Sequence, residues 1–208
     1  NSPVSTASGL SVGTNCFTWT INNGACGTPT TDQICVTVFD TNAPVANAGA
    51  DQSFCLPTTS ATLAANAPSF PSTGSWSLIN GTGTFANSTS PTSGVSGLSL
   101  GTNTFRWTIN NGSCGTITTD DVVITIFNNN LTVPSAGPDA ELCTPTSTYI
   151  MQGSSVALPA TGLWTLVSGT GTIANTGSPT TSISGLGIGA NVFSWTILNG
   201  PCPAGQTF

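Results

Sequence analysis

Short stretches of alternating apolar and polar residues run along the chain, and the sequence shows no helical spacing of apolar residues. The alternation is clearest at 103–109, where Phe105, Trp107 and Ile109 fall on one face of an extended segment. Glycine, proline, asparagine, serine and threonine break every such stretch after a few residues, as they do at turns between strands. The pattern predicts an all-β fold whose aromatic and branched side chains face a core.

The pattern repeats with a period of 88 residues. Tryptophan, cysteine and asparagine all recur at this spacing without an insertion. We therefore interpret the chain as a tandem array of one kind of repeat. The recurring positions include Trp19, Trp107 and Trp195; Cys26, Cys114 and Cys202; Asn15, Asn103 and Asn191; and the pairs Trp76/Trp164, Cys55/Cys143 and Asp51/Asp139.

The repeat divides the chain into three parts. We expect 1–43 to be the C-terminal part of a β-sandwich repeat, 44–131 to be a complete repeat, and 132–208 to be a repeat that lacks its last strand. The simplest interpretation is a window of a much longer repetitive chain. Donor-strand exchange, in which 1–43 of one chain completes 132–208 of another, is disfavoured because the two pieces exceed one repeat by 32 residues.

Seven short strand signals occur in the complete repeat, which is the number found in an immunoglobulin-like β-sandwich. The predicted fold class is therefore an end-to-end array of such sandwiches, each held by a disulfide. The strand signals lie at 51–56, 60–64, 75–79, 82–85, 93–96, 103–109 and 121–127. The predicted core tryptophans are Trp19, Trp76, Trp107, Trp164 and Trp195.

Chemically active side chains are scarce. The chain contains no histidine and no lysine, and its single base is Arg106. Because most catalytic templates need an imidazole or an amine, we predict no enzymatic activity, no catalytic residues and no cofactor. A paired carboxylate, Asp120-Asp121, lies in a predicted loop and is interpreted as a turn cap.

Charge and hydropathy also limit the partners. A net charge of −6 with one base disfavours nucleic acid and anionic membrane surfaces. The mean hydropathy is +0.20, yet no run of about 18 apolar residues occurs, so we expect no direct membrane insertion. Residues 1–14 lack the pattern of a signal peptide, and any targeting signal is expected outside this sequence.

The cysteines fit the repeat if each full repeat holds one disulfide. Cys55 and Cys114 lie in one repeat, and Cys143 and Cys202 occupy the same positions in the next. We therefore predict the pairs Cys55–Cys114 and Cys143–Cys202. Cys26 is equivalent to Cys114, and its partner is expected to lie before the first residue, which leaves it unpaired.

Two further cysteines occur only in the first repeat. Cys16 and Cys35 are each out of phase with the apolar face of their strand, so both are predicted to point outward and to form a cross-strand disulfide. Zinc is the competing interpretation, but the sequence has no Cys-x-x-Cys motif and no histidine. Disulfides in turn indicate an oxidising, extracellular location.

Carboxylates near the predicted repeat junctions are weak candidates for calcium binding. Only about two gather at each junction, so ordinary turn or strand-start roles are favoured, and no metal is predicted. The Gly-Thr-Gly-Thr stretches lack the lysine and helix of a phosphate loop and are interpreted as bends. The calcium candidates are Asp40, Asp51, Asp139 and Glu141.

The motifs of the complete repeat resemble those of a known family. They comprise 47–55 (NAGADQSFC), 74–78 (GSWSL), 81–84 (GTGT), 104–114 (TFRWTINNGSC) and 120–124 (DDVVI). They are similar to the PKD-like, immunoglobulin-like tandem repeats of giant cell-surface adhesins from gliding and related Bacteroidota. The resemblance covers all 208 residues. The extra pair Cys16/Cys35 and the prolines Pro201 and Pro203 depart from it.

The resemblance implies export by the type IX route and a filament used for surface attachment or gliding. We expect a structural stalk whose partners are neighbouring repeats of the same long chain, and surface polysaccharide or other cells. One alternative is a secreted or surface carbohydrate-binding array, with specificity in loops at 57–60 or 66–73. Another is self-association into an extracellular fibre through Phe39 and Phe127, which are expected to point outward near strand ends.

Overall fold

The computed structural model describes residues 2–115, 117–130 and 133–202. These residues form fourteen strands and two short 3-10 turns, at Gly24–Cys26 and Gly112–Cys114, which confirms the predicted all-β fold. Across these residues, no helix has the length and apolar character needed to cross a bilayer. The strands are β1 Gly13–Ile21, β2 Thr30–Val38, β3 Gln52–Cys55, β4 Ser60–Thr62, β5 Thr73–Asn80, β6 Thr84–Phe85, β7 Gly94–Ser96, β8 Gly101–Asn110, β9 Thr118–Phe127, β10 Tyr149–Ile150, β11 Thr161–Ser168, β12 Thr172–Ile173, β13 Ser182–Ser184 and β14 Val192–Leu198.

Strands β3 to β9 form a two-sheet sandwich. One sheet has the strand order β3-β9-β8-β5 and the other β4-β7-β6. All neighbours are antiparallel except β3, which runs parallel to β9. Each of the seven strand signals falls on an observed strand, although β9 begins three residues earlier than the signal at 121–127. The core between the sheets comprises Ala48, Leu63, Trp76, Val95, Leu98, Phe105, Trp107, Ile109, Val122, Ile124 and Ile126.

A pair of tryptophans lies at the centre of the core. Trp76 of β5 is the cross-strand partner of Trp107 of β8, and their ring centroids are 5.0 Å apart with a tilt of 47°. Trp164 and Trp195 repeat this arrangement on β11 and β14, at 4.9 Å and 40°. Glycine precedes the first tryptophan of each pair by two residues because a side chain there would overlap the partner ring.

The recurring asparagine joins two loops. Asn103 is fully buried, and its Oδ1 accepts hydrogen bonds from the N–H groups of Thr82 and Ser99, at 2.9 and 3.2 Å. Its Nδ2 donates to the Ser99 carbonyl at 2.9 Å. Asn191 makes the corresponding bonds to Thr170 and Gly187. The asparagine that recurs every 88 residues therefore bonds the same two loops in both repeats, and Asn103 does so as a buried polar group whose bonding groups are satisfied.

Residues 133–202 form two sheets, with strand orders β10-β13-β12 and β11-β14. They correspond to β4-β7-β6 and to β5-β8 of the complete sandwich. In this described part no strand occupies the position of β9. The core is accordingly smaller, with Met151, Trp164, Ile183 and Trp195 at its centre.

Residues 2–43 form the antiparallel hairpin β1-β2, whose apolar face is largely exposed. Phe17 is 41% exposed and Trp19 is 43% exposed, whereas their equivalents Phe105 and Trp107 are fully buried. The prediction that Trp19 belongs to a core is therefore wrong for this structure. The reason is that the described residues 2–43 include no second sheet to cover that face.

The tryptophan packing predicts the effect of a substitution at Gly74. Gly74→Ala places a methyl group against the Trp107 ring, and we expect a loss of about 1 to 3 kcal/mol in the free energy of unfolding. Denaturant titration followed by tryptophan fluorescence measures it. Gly94→Ala is the control because its nearest atom would be 3.8 Å away, on Ala86. Equal losses in both variants would contradict this account.

Candidate functional site at the repeat junctions

The contact between the first and second repeats joins the end of β2 to the hairpin loop between β8 and β9. The ring of Phe39 lies directly over Gly112, so closely that a side chain at Gly112 would overlap it. Beside this contact, Asn111 Nδ2 donates a hydrogen bond to the backbone carbonyl of Asp40 at 2.9 Å. Asn111 is only 6% exposed, although it lies in a loop.

The contact between the second and third repeats is built in the same way. The ring of Phe127, at the end of β9, lies over Gly200. Asn199 Nδ2 donates to the backbone carbonyl of Asn128 at 2.8 Å. Every partner is 88 residues after its counterpart in the first contact, so the chain contains two copies of one junction. We call the contact at Phe39 the first junction and that at Phe127 the second junction.

The Asn-Gly sequence explains why the loop folds this way. Gly112 and Gly200 adopt left-handed backbone conformations, with φ of 63° and 55°. Glycine accepts this region without strain, and it also leaves room for the aromatic ring. The prediction that Phe39 and Phe127 point outward is therefore wrong, because each ring packs on the loop of the next repeat. Self-association into a fibre stays a prediction.

Two of the carboxylates near the start of the second repeat and in β9 accept hydrogen bonds from the backbone. Asp51 Oδ1 accepts a hydrogen bond from Val123 N–H at 2.8 Å, and Asp120 Oδ2 accepts one from Ala48 N–H at 2.8 Å. Asp120 and Asp121 lie within β9, so their interpretation as a turn cap is wrong. Asp121 instead pairs with Arg106 at 2.7 Å, and the hydrogen bond from the guanidinium lowers the pKa of the Asp121 carboxyl.

The calcium candidates are not brought together. Asp40 Oδ1 accepts the N–H of Asn42 at 2.8 Å, and Asp139 and Glu141 are exposed. Among the described residues, no three carboxylate, cysteine or histidine side chains form a group that could hold a metal ion.

The structure places a disulfide across the second junction. Cys55 is bonded to Cys202, with a Cα–Cα distance of 5.5 Å, while Cys26, Cys114 and Cys143 are free and exposed. The predicted pairs Cys55–Cys114 and Cys143–Cys202 are therefore both wrong. The bond that exists connects two repeats instead of closing one.

Strand direction explains the correction. Cys55 ends β3 and lies beside Phe127, the last residue of β9, because β3 and β9 are parallel. Cys114 precedes the start of β9, so the two cysteines are separated by the length of that strand, about 30 Å. A disulfide spans at most about 7 Å between Cα atoms. Phe127 also contacts the Gly200 loop, and this brings Cys202 to Cys55.

The first repeat has a second disulfide, between Cys16 and Cys35. The two residues are direct cross-strand partners in β1-β2, with a Cα–Cα distance of 4.0 Å. Both are exposed, as their phase relative to the apolar positions predicts. Their counterparts in the second repeat, Thr104 and Val123, are also direct partners.

Apart from the disulfide, the two junctions differ in the hydrogen bonding of one buried oxygen atom. Asn111 Oδ1 accepts a hydrogen bond from the hydroxyl of Ser72. The counterpart of Ser72 is Ala160, and Asn199 Oδ1 is buried without a hydrogen-bond partner among the described residues. An unsatisfied buried acceptor costs about 1 to 3 kcal/mol, so the second junction lacks a stabilising contact that the first has.

This difference predicts a stabilising substitution. We expect Ala160→Ser to raise the free energy of unfolding by about 1 kcal/mol, because the new hydroxyl donates to Asn199 Oδ1. Conversely, Ser72→Ala should lower the free energy of unfolding by about 1 to 3 kcal/mol, because Asn111 Oδ1 then loses its hydrogen-bond donor. Denaturant titration of the oxidised chain measures both.

The matched control is Ala157→Ser. This change also introduces the serine found 88 residues earlier, Ser69, but Ala157 is exposed. It should leave stability unchanged. A similar gain in Ala157→Ser and Ala160→Ser would show that serine acts through the local turn and not through Asn199.

A cavity of about 520 Å³ opens in the third repeat, beside β14. Its lining includes Met151, Trp164, Ile183 and Phe193. The equivalent side chains of the second repeat belong to its core, where Val122, Ile124 and Ile126 of β9 cover them. The cavity thus occupies the position that β9 fills in the second repeat.

Comparisons with known proteins give structural likenesses only. No family model and no curated protein matches the sequence. The PKD domain from the KIAA 1837 protein is 24% identical over 46% of this chain and 92% of that domain, with a TM-score of 0.35. The PKD domain from human KIAA0319 is 22% identical over 47% of this chain and 88% of that domain, with a TM-score of 0.36.

A third likeness spans more than one repeat. The D00-D0 domain of Intimin is 13% identical over 78% of this chain and 95% of that domain, with a TM-score of 0.35. TM-scores below 0.5 carry no functional argument. The β-sandwich itself is established by the strand pairing described above.

Proposed function

We propose that this chain is a structural segment of a long extracellular adhesin, a stalk that carries attachment or gliding contacts away from the cell surface. The observation that carries the proposal is the junction, which occurs twice with the same contacts and is crossed once by a disulfide. The resemblance of the repeat motifs to those of Bacteroidota adhesins supports it, including export by the type IX route. The two disulfides support an oxidising, extracellular location.

The junction contacts restrain successive repeats in complementary ways. The Phe127 ring packs on Gly200, and Asn199 is hydrogen-bonded to the Asn128 carbonyl beside it, so the two repeats touch through one apolar and one polar contact. The Cys55–Cys202 bond prevents separation altogether. Neighbouring domains in one chain usually move relative to each other unless their interface is large. A disulfide beside two short-range contacts limits the relative motion of the repeats without a large interface. A stalk needs such a limit.

The composition supports a role that tolerates changing surroundings. Charged residues make up 4% of the chain. Interactions between exposed charges weaken with salt and change with pH, whereas hydroxyl and amide hydrogen bonds do neither. The Arg106–Asp121 pair is the exception among the described residues, and both side chains are more than one third exposed.

Immunogold electron microscopy of intact source cells, with antibody against 44–131, tests the proposed location and form. We expect gold along filaments that extend from the envelope. Labelling confined to the culture medium would contradict a stalk and favour a secreted binding array. Cells treated with non-immune antibody are the control for background labelling.

The mechanical part of the proposal predicts how the chain extends under force. The Cys55–Cys202 bond encloses a sequence separation of 147 residues, which corresponds to about 500 Å of extended chain. In single-molecule pulling of the 208-residue chain from its ends, we expect this length to be released only after reduction.

The matched control is Cys16→Ser with Cys35→Ser, which removes a bond of sequence separation 19 and leaves the long segment protected. Full extension of the oxidised chain would contradict the proposal that the junction bond bears load.

A further inference from the structure

We infer that Cys114 and Cys143 are halves of two more disulfides of the same kind, so that each repeat is covalently bonded to the next. In this arrangement, the cysteine at the end of each β3 position bonds to the hairpin cysteine of the following repeat. Joined to another repeat of this type, Cys143 bonds to the hairpin cysteine of the repeat after it, and Cys114 bonds to the β3-end cysteine of the repeat before it. The partner in both cases is another repeat of this sequence type.

The first argument comes from position. Cys143 lies 88 residues after Cys55, and Cys114 lies 88 residues before Cys202. Neither cysteine has a partner in its own repeat: Cys202 is already bonded to Cys55, and Cys114 is a strand length away from Cys55. Any partner must therefore come from another repeat.

The second argument is that the local backbone presents the cysteines alike. The carbonyls of Cys55 and Cys143 each accept a hydrogen bond from the N–H of the threonine three residues later, both at 3.0 Å. On the hairpin side, the N–H groups of free Cys26 and bonded Cys202 each donate to the carbonyl of the asparagine three residues earlier, at 3.4 and 3.1 Å. Cys114 ends a 3-10 turn that begins at the loop glycine, as Cys26 does. The bonded and free cysteines of each class thus occupy the same kind of turn.

The third argument is that docking at the first junction is already formed. Phe39 lies over Gly112 and Asn111 is bonded to the Asp40 carbonyl, which are the contacts that accompany the disulfide at the second junction. The loop that carries Cys114 is therefore already seated on the end of the preceding repeat.

The chemistry needs an external oxidant. Two thiols lose two protons and two electrons as the new S–S bond forms, and a disulfide oxidant such as glutathione disulfide takes them up and becomes two thiols. Cys114 and Cys143 are both exposed, so the oxidant can reach them. The inference does not depend on the proposed stalk function, since a ligand-binding array would use the same bonds.

A lengthened chain tests the inference. Residues 1–205 are followed by 118–131, which supply the last strand of the third repeat, and then by a second copy of 44–131. The copied hairpin carries Ser113→Ala, so that its peptides differ in mass from those of the original hairpin. Alanine already occurs at the equivalent position of the first repeat, Ala25. The chain is folded with glutathione disulfide, alkylated and digested with pepsin, at acid pH where thiol exchange is slow.

We expect two cross-linked peptides across junctions, Cys55 with Cys202 and Cys143 with the copied hairpin cysteine. Cys143→Ser should remove only the second. The inference is overturned if Cys55–Cys202 forms while Cys143 is alkylated, since the chain has then folded without the new bond.

Peptide mapping of the original 208-residue chain provides an independent measurement if the longer chain does not fold. The expected result is a Cys55–Cys202 cross-link with Cys26, Cys114 and Cys143 alkylated. Cross-links from Cys55 to Cys114 or from Cys143 to Cys202 would show that the bonds close single repeats and would overturn the inference. The immunogold experiment has a different readout, so failure of the stalk function is distinguishable from failure of this inference.

Discussion

The parallel pairing of β3 with β9 determines how one repeat meets the next. In an antiparallel sandwich the chain would return on itself, and the end of β3 would lie beside the start of β9. Because the two strands run together, Cys55 and Phe127 finish at the same end of the sheet. That end carries the Phe127 ring, on which the next hairpin packs, and the Cys55 sulfur, which bonds to the same hairpin. The parallel pairing of β3 with β9 therefore places the covalent and the packing contacts together.

Glycine then decides what can dock at that end. Gly112 and Gly200 satisfy two requirements at once, since the loop needs a left-handed residue and the aromatic ring needs an empty space above it. The preceding asparagine closes the contact with a hydrogen bond to the neighbouring backbone. A local turn sequence therefore doubles as a docking surface, and this explains why the Asn-Gly pair recurs with the period of the whole repeat.

Much of the fold could be predicted from the sequence because it depends on local alternation and on the repeat. The strands of the complete sandwich and the outward phase of Cys16 and Cys35 follow from residue spacing alone. The partner of Cys55 could not be predicted this way, because it depends on the direction of β3 relative to β9, and a four-residue strand carries no signal for direction. For the same reason Phe127 looks like an exposed strand end until the next loop is placed on it.

The two junctions differ in their hydrogen bonds and in their disulfide. The first has a fully bonded asparagine, since Asn111 donates to the Asp40 carbonyl and accepts from Ser72, but its hairpin cysteine is free. The second has a disulfide and an asparagine with an unpartnered oxygen. A covalent bond keeps two surfaces together when one hydrogen bond between them is missing, and the second junction is docked although Asn199 Oδ1 has no partner among the described residues. On this argument the disulfide is the primary restraint at a junction, and the buried polar contact refines its geometry.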